Sequence, residues 1–161
     1  MDPQFETDLV RNTALGAMAL WQFSASYYRQ KARLAGAPLP AAMLVLPMAF
    51  HEATVSAIAD RNRDGALLKA LASDRVLTAG LQHRIESFTP RTFRALNLAA
   101  ATGLIDLPRD SGYLVVPLVM TQPIRYASHE AQKVLKAADR IGHAIASLGL
   151  GTCCSLLNVR F

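Results

Sequence analysis

Apolar residues recur at three- and four-residue steps near both ends of the chain, and this spacing is the feature that most constrains the fold. The N-terminal stripe comprises Leu9, Val10, Ala14, Ala17, Met18, Trp21, Ala25 and Tyr28. The C-terminal stripe comprises Ala131, Val134, Leu135, Ala138, Ile141, Gly142 and Ile145. The sequence therefore predicts two long helices, over residues 6–35 and 128–148, and the length of the first favours a break near Gly16.

The segments beside these helices also carry helix signals. Residues 40–58 are apolar on nearly every side, which predicts a buried helix that restarts at Pro47. A polar loop follows at residues 60–65, and a short helix is predicted over residues 66–72. After the long C-terminal helix, begun by Ser128, we expect Thr152 to cap a final short helix.

The centre of the chain is typical of a winged helix. Ser73 or Asp74 can cap a helix that ends near residue 87, and Thr89 followed by Pro90 predicts the start of a second helix. Two β-favouring runs, residues 104–107 and 113–117, then form a hairpin around a turn-rich connector. We expect a mainly α fold: one domain over residues 1–161, with a winged-helix-like centre at about residues 73–118 and one short β-hairpin.

Composition favours a protein with partners. Hydrophobic residues make up 52% of the 161 residues and charged residues only 18%. One compact core cannot hide all of these side chains, so apolar surface should remain for other subunits. The formal net charge of +5 suits acidic protein surfaces or nucleic acid, and it also fits an ordinary basic surface.

The cysteines and the N-terminus indicate a cytoplasmic protein without a membrane anchor. Cys153 and Cys154 are adjacent, so a disulfide bond between them could not link distant segments of the chain. The first residues lack the basic and apolar regions of a signal peptide. The most apolar stretch, residues 39–50, is interrupted by two prolines and is too short to span a bilayer.

Motifs for catalysis are absent from the sequence, so we expect a non-enzyme with no catalytic residues, no metal and no cofactor. His51 is followed by Glu52, but Val55 stands where a zinc-binding helix needs its second histidine. The chain also has no phosphate-binding loop. Cys153 is expected to be a buried, unreactive thiol. An enzyme with an unfamiliar site stays open as a third alternative.

A set of arginines forms the one candidate site for nucleic acid. Arg91 and Arg94 lie one turn apart on the helix that Pro90 opens, on the side opposite Phe93 and Leu96. With Arg84 before that helix and Arg109 at the wing tip, they would form a positive edge suited to phosphates. A solvated helix face explains the same residues.

The two ends of the chain resemble a known family. Residues 1–21 and residues 138–161 are similar to the start and the end of the middle component of bacterial three-component ABC systems, and the likeness includes residues 39–51. The sequence departs from the family pattern at residues 149–154. The resemblance implies a small protein encoded between an SMC- or Rad50-like ATPase and an effector, as in Lamassu-type anti-phage defence.

Two functions follow from these observations. The first is a non-catalytic adaptor that links the ATPase to an effector, often a nuclease, with Phe5, Trp21, Val159, Arg160 and Phe161 as partner contacts. DNA would then be met chiefly through the complex. The alternative is a winged-helix transcription regulator that binds duplex DNA on its own.

Overall fold

The computed structural model describes residues 12–59, 72–120 and 128–161. These residues form seven α-helices, one turn of 3-10 helix and a two-stranded antiparallel sheet. In chain order the α-helices are α1 (Thr13–Gln30), α2 (Leu39–Ala49), α3 (Glu52–Ala59), α4 (Arg75–Thr78), α5 (Leu81–Ala101), α6 (His129–Leu148) and α7 (Leu150–Leu157). The predicted mainly helical fold with one short hairpin is confirmed.

Helix α1 lies at the centre of the fold. It packs most extensively against α6 and α5, and α2 fills the space against α5, α1 and α6. Most residues between 15 and 27 are buried, and so are all residues from 41 to 49 in α2. The predicted buried helix is therefore confirmed as α2, and the apolar side chains of the helices join in one core.

Helix α1 ends earlier than predicted, at Gln30 rather than near residue 35. Ala32 and Arg33 adopt left-handed backbone angles that turn the chain, and Ala37 then forms a β-bridge with Val115. A Cβ at Gly36 would lie 2.9 Å from the Val115 carbonyl oxygen. The helix stops here because its exit segment must pair with the sheet. The expected break at Gly16 is wrong, since α1 is continuous there.

The apolar segment after α1 breaks at residues 50 and 51 and not at Pro47. Pro47 lies inside α2, which ends at Ala49, and α3 begins at Glu52 after a bend of 100°. Helix α6 begins after Ser128, as predicted. A similar break follows this helix, because α7 starts at Leu150 after a bend of 110°. The predicted cap at Thr152 is wrong, because Gly149 precedes the first helical residue.

The predicted helix start at Thr89 and Pro90 is also wrong. Both residues lie inside the 21-residue helix α5, and the Thr89 hydroxyl donates to the Ile85 carbonyl (2.9 Å) instead of capping a new helix. The buried face of α5 continues in register across the proline, from Leu81 and Ile85 to Ala95 and Ala99. Packing of this face outweighs the local signal. The two-helix order that suggested a winged helix is therefore absent from residues 81–101.

The continuity of α5 leads to a prediction for Pro90→Ala. Pro90 is exposed and cannot donate to the carbonyl one turn earlier. In a continuous helix we expect alanine to raise the free energy of unfolding by about 1–3 kcal/mol, measured by urea denaturation. At a true first helical position proline is favourable, so a neutral or destabilising result would restore the two-helix interpretation.

The β-hairpin is confirmed but is very short. Strands β1 (Ile105–Asp106) and β2 (Val116–Pro117) pair antiparallel, with Ile105 opposite Pro117. The connector contains one 3-10 turn, Arg109–Ser111, followed by Gly112 in a left-handed conformation. Pro117 has no amide proton to donate, and the pairing continues beyond it, where the Leu118 amide donates to the Leu104 carbonyl at 2.9 Å. The hairpin and the bridge from Ala37 together cover one edge of the helical core.

Candidate functional site

A recess opens where the start of α1, the end of α2 and the middle of α5 meet. Its volume is about 260 Å³. Its lining, which we call the basic recess, consists of Asn12, Thr13, Gly16, Leu46, Phe50, Phe88, Arg91, Arg94 and Ala95. Two of the four arginines predicted as a positive edge therefore lie together in one concave surface.

The arginines stand beside an aromatic wall. The Arg91 guanidinium carbon lies 5.4 Å from the centroid of the Phe88 ring, within cation–π range. Phe88 in turn stacks on Phe50, with 6.4 Å between ring centroids and 25° between ring planes. Among the described residues no carboxylate forms an ion pair with Arg91 or Arg94. No carboxylate of the described residues therefore competes for their donors.

The first turn of α1 adds to the positive character of the recess. Asn12 caps the helix, and its side-chain oxygen accepts from the Leu15 amide at 3.0 Å. The amides at the N-terminal end of a helix carry a partial positive charge. The close approach of α1 to α5 depends on Gly16, where a Cβ would lie 3.2 Å from the Ala95 Cβ. The recess is thus held by packed helices.

The other two arginines do not join this recess. Arg84 donates to the carbonyl oxygens of Leu77 (2.9 Å) and Ala79 (3.1 Å), so it fastens α4 and the following turn to the first turns of α5. Burial lowers the pKa of its guanidinium. Arg109 is exposed in the 3-10 turn of the hairpin connector and is not part of the recess lining. The predicted edge of four arginines thus reduces to a pair.

His51, at the break between α2 and α3, is a hydrogen-bonded structural histidine. Its Nδ1 atom and the Thr54 hydroxyl oxygen are 2.8 Å apart. Burial lowers the pKa of His51, and the nearby positive charge of Arg84 lowers it further. Both effects favour the neutral form of the ring. Within residues 12–59, 72–120 and 128–161, no group of three His, Cys, Asp or Glu side chains is placed to hold a metal.

The residues predicted as partner contacts have different positions. Phe5 lies outside the described residues. Trp21 is buried, and its indole nitrogen donates to the Val119 carbonyl at 2.7 Å, so it belongs to the core and not to the surface. Val159 is also buried. Only Arg160 and Phe161 are exposed, Phe161 by 59%.

The exposed C-terminal residues are held in a defined position. The Arg160 amide donates to the Gln82 side-chain oxygen (3.0 Å), and the Gln82 amide nitrogen donates to the Arg160 carbonyl (3.2 Å). This pair of hydrogen bonds fixes the backbone of Arg160 against the start of α5. Phe161 is therefore presented to solvent from an anchored segment.

Cys153 is expected to be chemically inert. Burial raises the pKa of its thiol to about 11, and the neighbouring Cys154 adds to the shift. The thiolate is the reactive form, so in a Cys154→Ala variant, where burial alone raises the pKa, we expect Cys153 to react with Ellman's reagent at least about tenfold more slowly in the folded chain than in denaturant near pH 8. Equal rates in the two states would contradict the buried position.

The same shift predicts a loss of stability in alkali. The Cys153 thiol ionises near its usual pKa of 9 in the unfolded chain and near 11 in the folded chain. The unfolded state therefore releases a proton first, and the free energy of unfolding falls as the pH rises from about 9 to about 11. Urea denaturation across this range should show a shallower fall for Cys153→Ala, and an identical profile would contradict the assignment.

Sequence reasoning missed the aromatic half of the recess. Phe50 ends α2, whereas Phe88 lies in α5, and no local pattern connects them. The spacing of three residues between Phe88 and Arg91 is a usable signal, because side chains three apart meet on a helix. That signal was hidden by the predicted helix boundary between them.

Among the described residues, no single helix is long and apolar enough to cross a bilayer. Two pairs of consecutive helices, α2 with α3 and α6 with α7, are long and apolar enough only when the two helices are taken together, and both pairs are sharply bent.

The fold and the recess define a small, mainly helical protein with a cationic and aromatic surface recess. The sequence model of Middle Component 3 of the ABC-three component (ABC-3C) systems matches residues 2–161. The chain belongs to this family, and the resemblance to a middle component is confirmed. No curated protein and no solved structure matches the chain.

Proposed function

We propose that this chain is a non-catalytic, cytoplasmic accessory subunit that links an SMC- or Rad50-like ATPase to an effector, often a nuclease, in an anti-phage defence complex of the Lamassu type. The observation that carries the proposal is the family match over residues 2–161. A component of a multi-component system has partner subunits, and these subunits would bind the outer surface of the chain.

Exposed apolar side chains support the proposal. Among the described residues, the large hydrophobic side chains that face solvent are Leu34 (87%), Val76 (75%), Phe93 (44%), Tyr113 (51%), Leu118 (58%) and Phe161 (59%). Single exposed apolar residues are common on monomers. Aromatic residues, however, are enriched where subunits meet. Phe161 is the strongest candidate contact, because the preceding residue, Arg160, is hydrogen-bonded to Gln82.

Co-expression with the products of the adjacent genes tests this function. We expect the chain to co-elute with the ATPase and the effector in size-exclusion chromatography, and Phe161→Ala to weaken that association. Ser155→Ala is the control, since Ser155 is also exposed near the C-terminus but is not one of the exposed apolar side chains. A chain that elutes alone in the presence of both neighbours would overturn the proposal.

Direct DNA binding is the second candidate, and it is favoured by Arg91 and Arg94, which form no ion pair with any described residue. Two phosphate contacts would give a slope of log K against log salt of about −1.8. A labelled duplex that binds the purified chain with this slope, and that loses most of its affinity in Arg91→Ala/Arg94→Ala, would support a DNA-binding regulator. Equal binding by the double variant would reject it.

A further inference from the structure

We propose that the basic recess binds an acidic segment of a partner subunit, with a carboxylate held between Arg91 and Arg94 and an apolar side chain of the same segment against Phe50 and Phe88. This inference rests on the proposed function, because it needs a protein partner. It names the surface through which that partner is held and the chemistry of the partner's segment.

Arg91 and Arg94 place two positive charges on one concave surface. Some cations of the structure are engaged, since Arg29 forms an ion pair with Asp139 at 2.9 Å and Arg84 donates to two carbonyls, whereas exposed arginines such as Arg33 and Arg75 form no ion pair among the described residues. Within the described residues, Arg91 and Arg94 have neither kind of partner although they share one concave surface. Guanidinium groups bind carboxylates through paired, charge-assisted hydrogen bonds, so an acidic side chain is the complementary ligand.

The basic recess is small and has an aromatic wall. A volume of about 260 Å³ suits a few side chains of a peptide, and its aromatic wall suits an apolar one. Tight DNA binding draws on about six to ten phosphate contacts along a surface. The recess supplies two arginines, and Arg109 lies outside it. An acidic peptide therefore fits this surface better than a duplex does.

Side chains of the basic recess are held in place before a ligand binds. The Arg91 guanidinium contacts the Phe88 ring, and the Asn12 side chain caps the first turn of α1. Groups that are already positioned lose less conformational entropy when a ligand arrives. The positive end of α1 adds attraction for the same carboxylate.

The test uses the full chain co-expressed with its neighbouring subunits, after nuclease treatment. Arg91→Glu/Arg94→Glu should lower recovery of the partner at least tenfold, whereas Arg109→Glu, an exposed arginine outside the recess, should leave recovery close to wild type. Arg91→Lys/Arg94→Lys keeps the charge but loses the planar fork, so an intermediate recovery is expected. Circular dichroism confirms that each variant folds.

The outcomes separate this inference from the proposed function. Failure of the wild-type chain to recover any subunit overturns the function and the inference together. Equal recovery by wild type and by the double glutamate variant overturns the inference alone. Recovery that nuclease treatment abolishes, together with binding of a labelled duplex that needs both arginines, assigns the recess to DNA and also overturns the acidic partner.

Discussion

Replacing Gly142 by alanine should lower the free energy of unfolding by about 3 kcal/mol and the melting temperature by about 10 °C. A Cβ at position 142 would lie 2.5 Å from the Phe23 carbonyl oxygen, and 3.2 Å from both the carbonyl carbon and Cδ2 of Phe23. The nearest atoms belong to the backbone of α1 and cannot rotate away. Helices α1 and α6, the most extensive contact of the fold, would have to move apart.

Gly151→Ala is the matched control for this prediction. Gly151 also lies in a helix, but nothing lies within 4 Å of a Cβ built there. Alanine is the better helix former by about 1 kcal/mol, so this variant should be slightly stabilised. Thermal and urea denaturation of both variants decide the matter. A Gly142→Ala chain as stable as wild type would show that α1 and α6 do not approach as closely as the structure indicates.

The helices could be predicted from the sequence because their cause is local. The apolar stripes of α1 and α6 repeat with the helical period, and Ser128 accepts from the Ala131 amide as a helix cap does. The helix boundaries could not be predicted, because they depend on residues that are distant in the sequence. Helix α1 stops where Ala37 must pair with Val115, and α5 continues through Pro90 because its buried face has partners on both sides.

The arginine half of the basic recess could be predicted, because the spacing that pairs its two arginines is local. The pairing of Arg91 with Arg94 follows from their spacing of three residues on one helix. Arg84 was assigned to the same edge because a sequence does not show that its guanidinium is used by the carbonyls of Leu77 and Ala79. Phe50 was missed because it reaches the recess only through the packing of α2 against α5.

Trp21→Ala should be the most destabilising of the side-chain truncations at the predicted partner contacts. Trp21 is 2% exposed in the core, and its removal leaves a cavity that costs about 3–5 kcal/mol. Trp21→Phe keeps most of the ring volume but leaves the Val119 carbonyl without its donor, so a loss of about 1–2 kcal/mol is expected. Because Trp21 is the single tryptophan, unfolding of both variants must be followed by circular dichroism.

The same variants separate a core role of Trp21 from the partner contact that its aromatic character suggested. A core residue acts through stability, so Trp21→Phe should assemble with the neighbouring subunits as wild type does at temperatures where both chains are folded. A surface contact would show the reverse: Trp21→Ala would unfold as wild type does and lose its partners. That result would place the indole at an interface and would contradict its hydrogen bond to Val119.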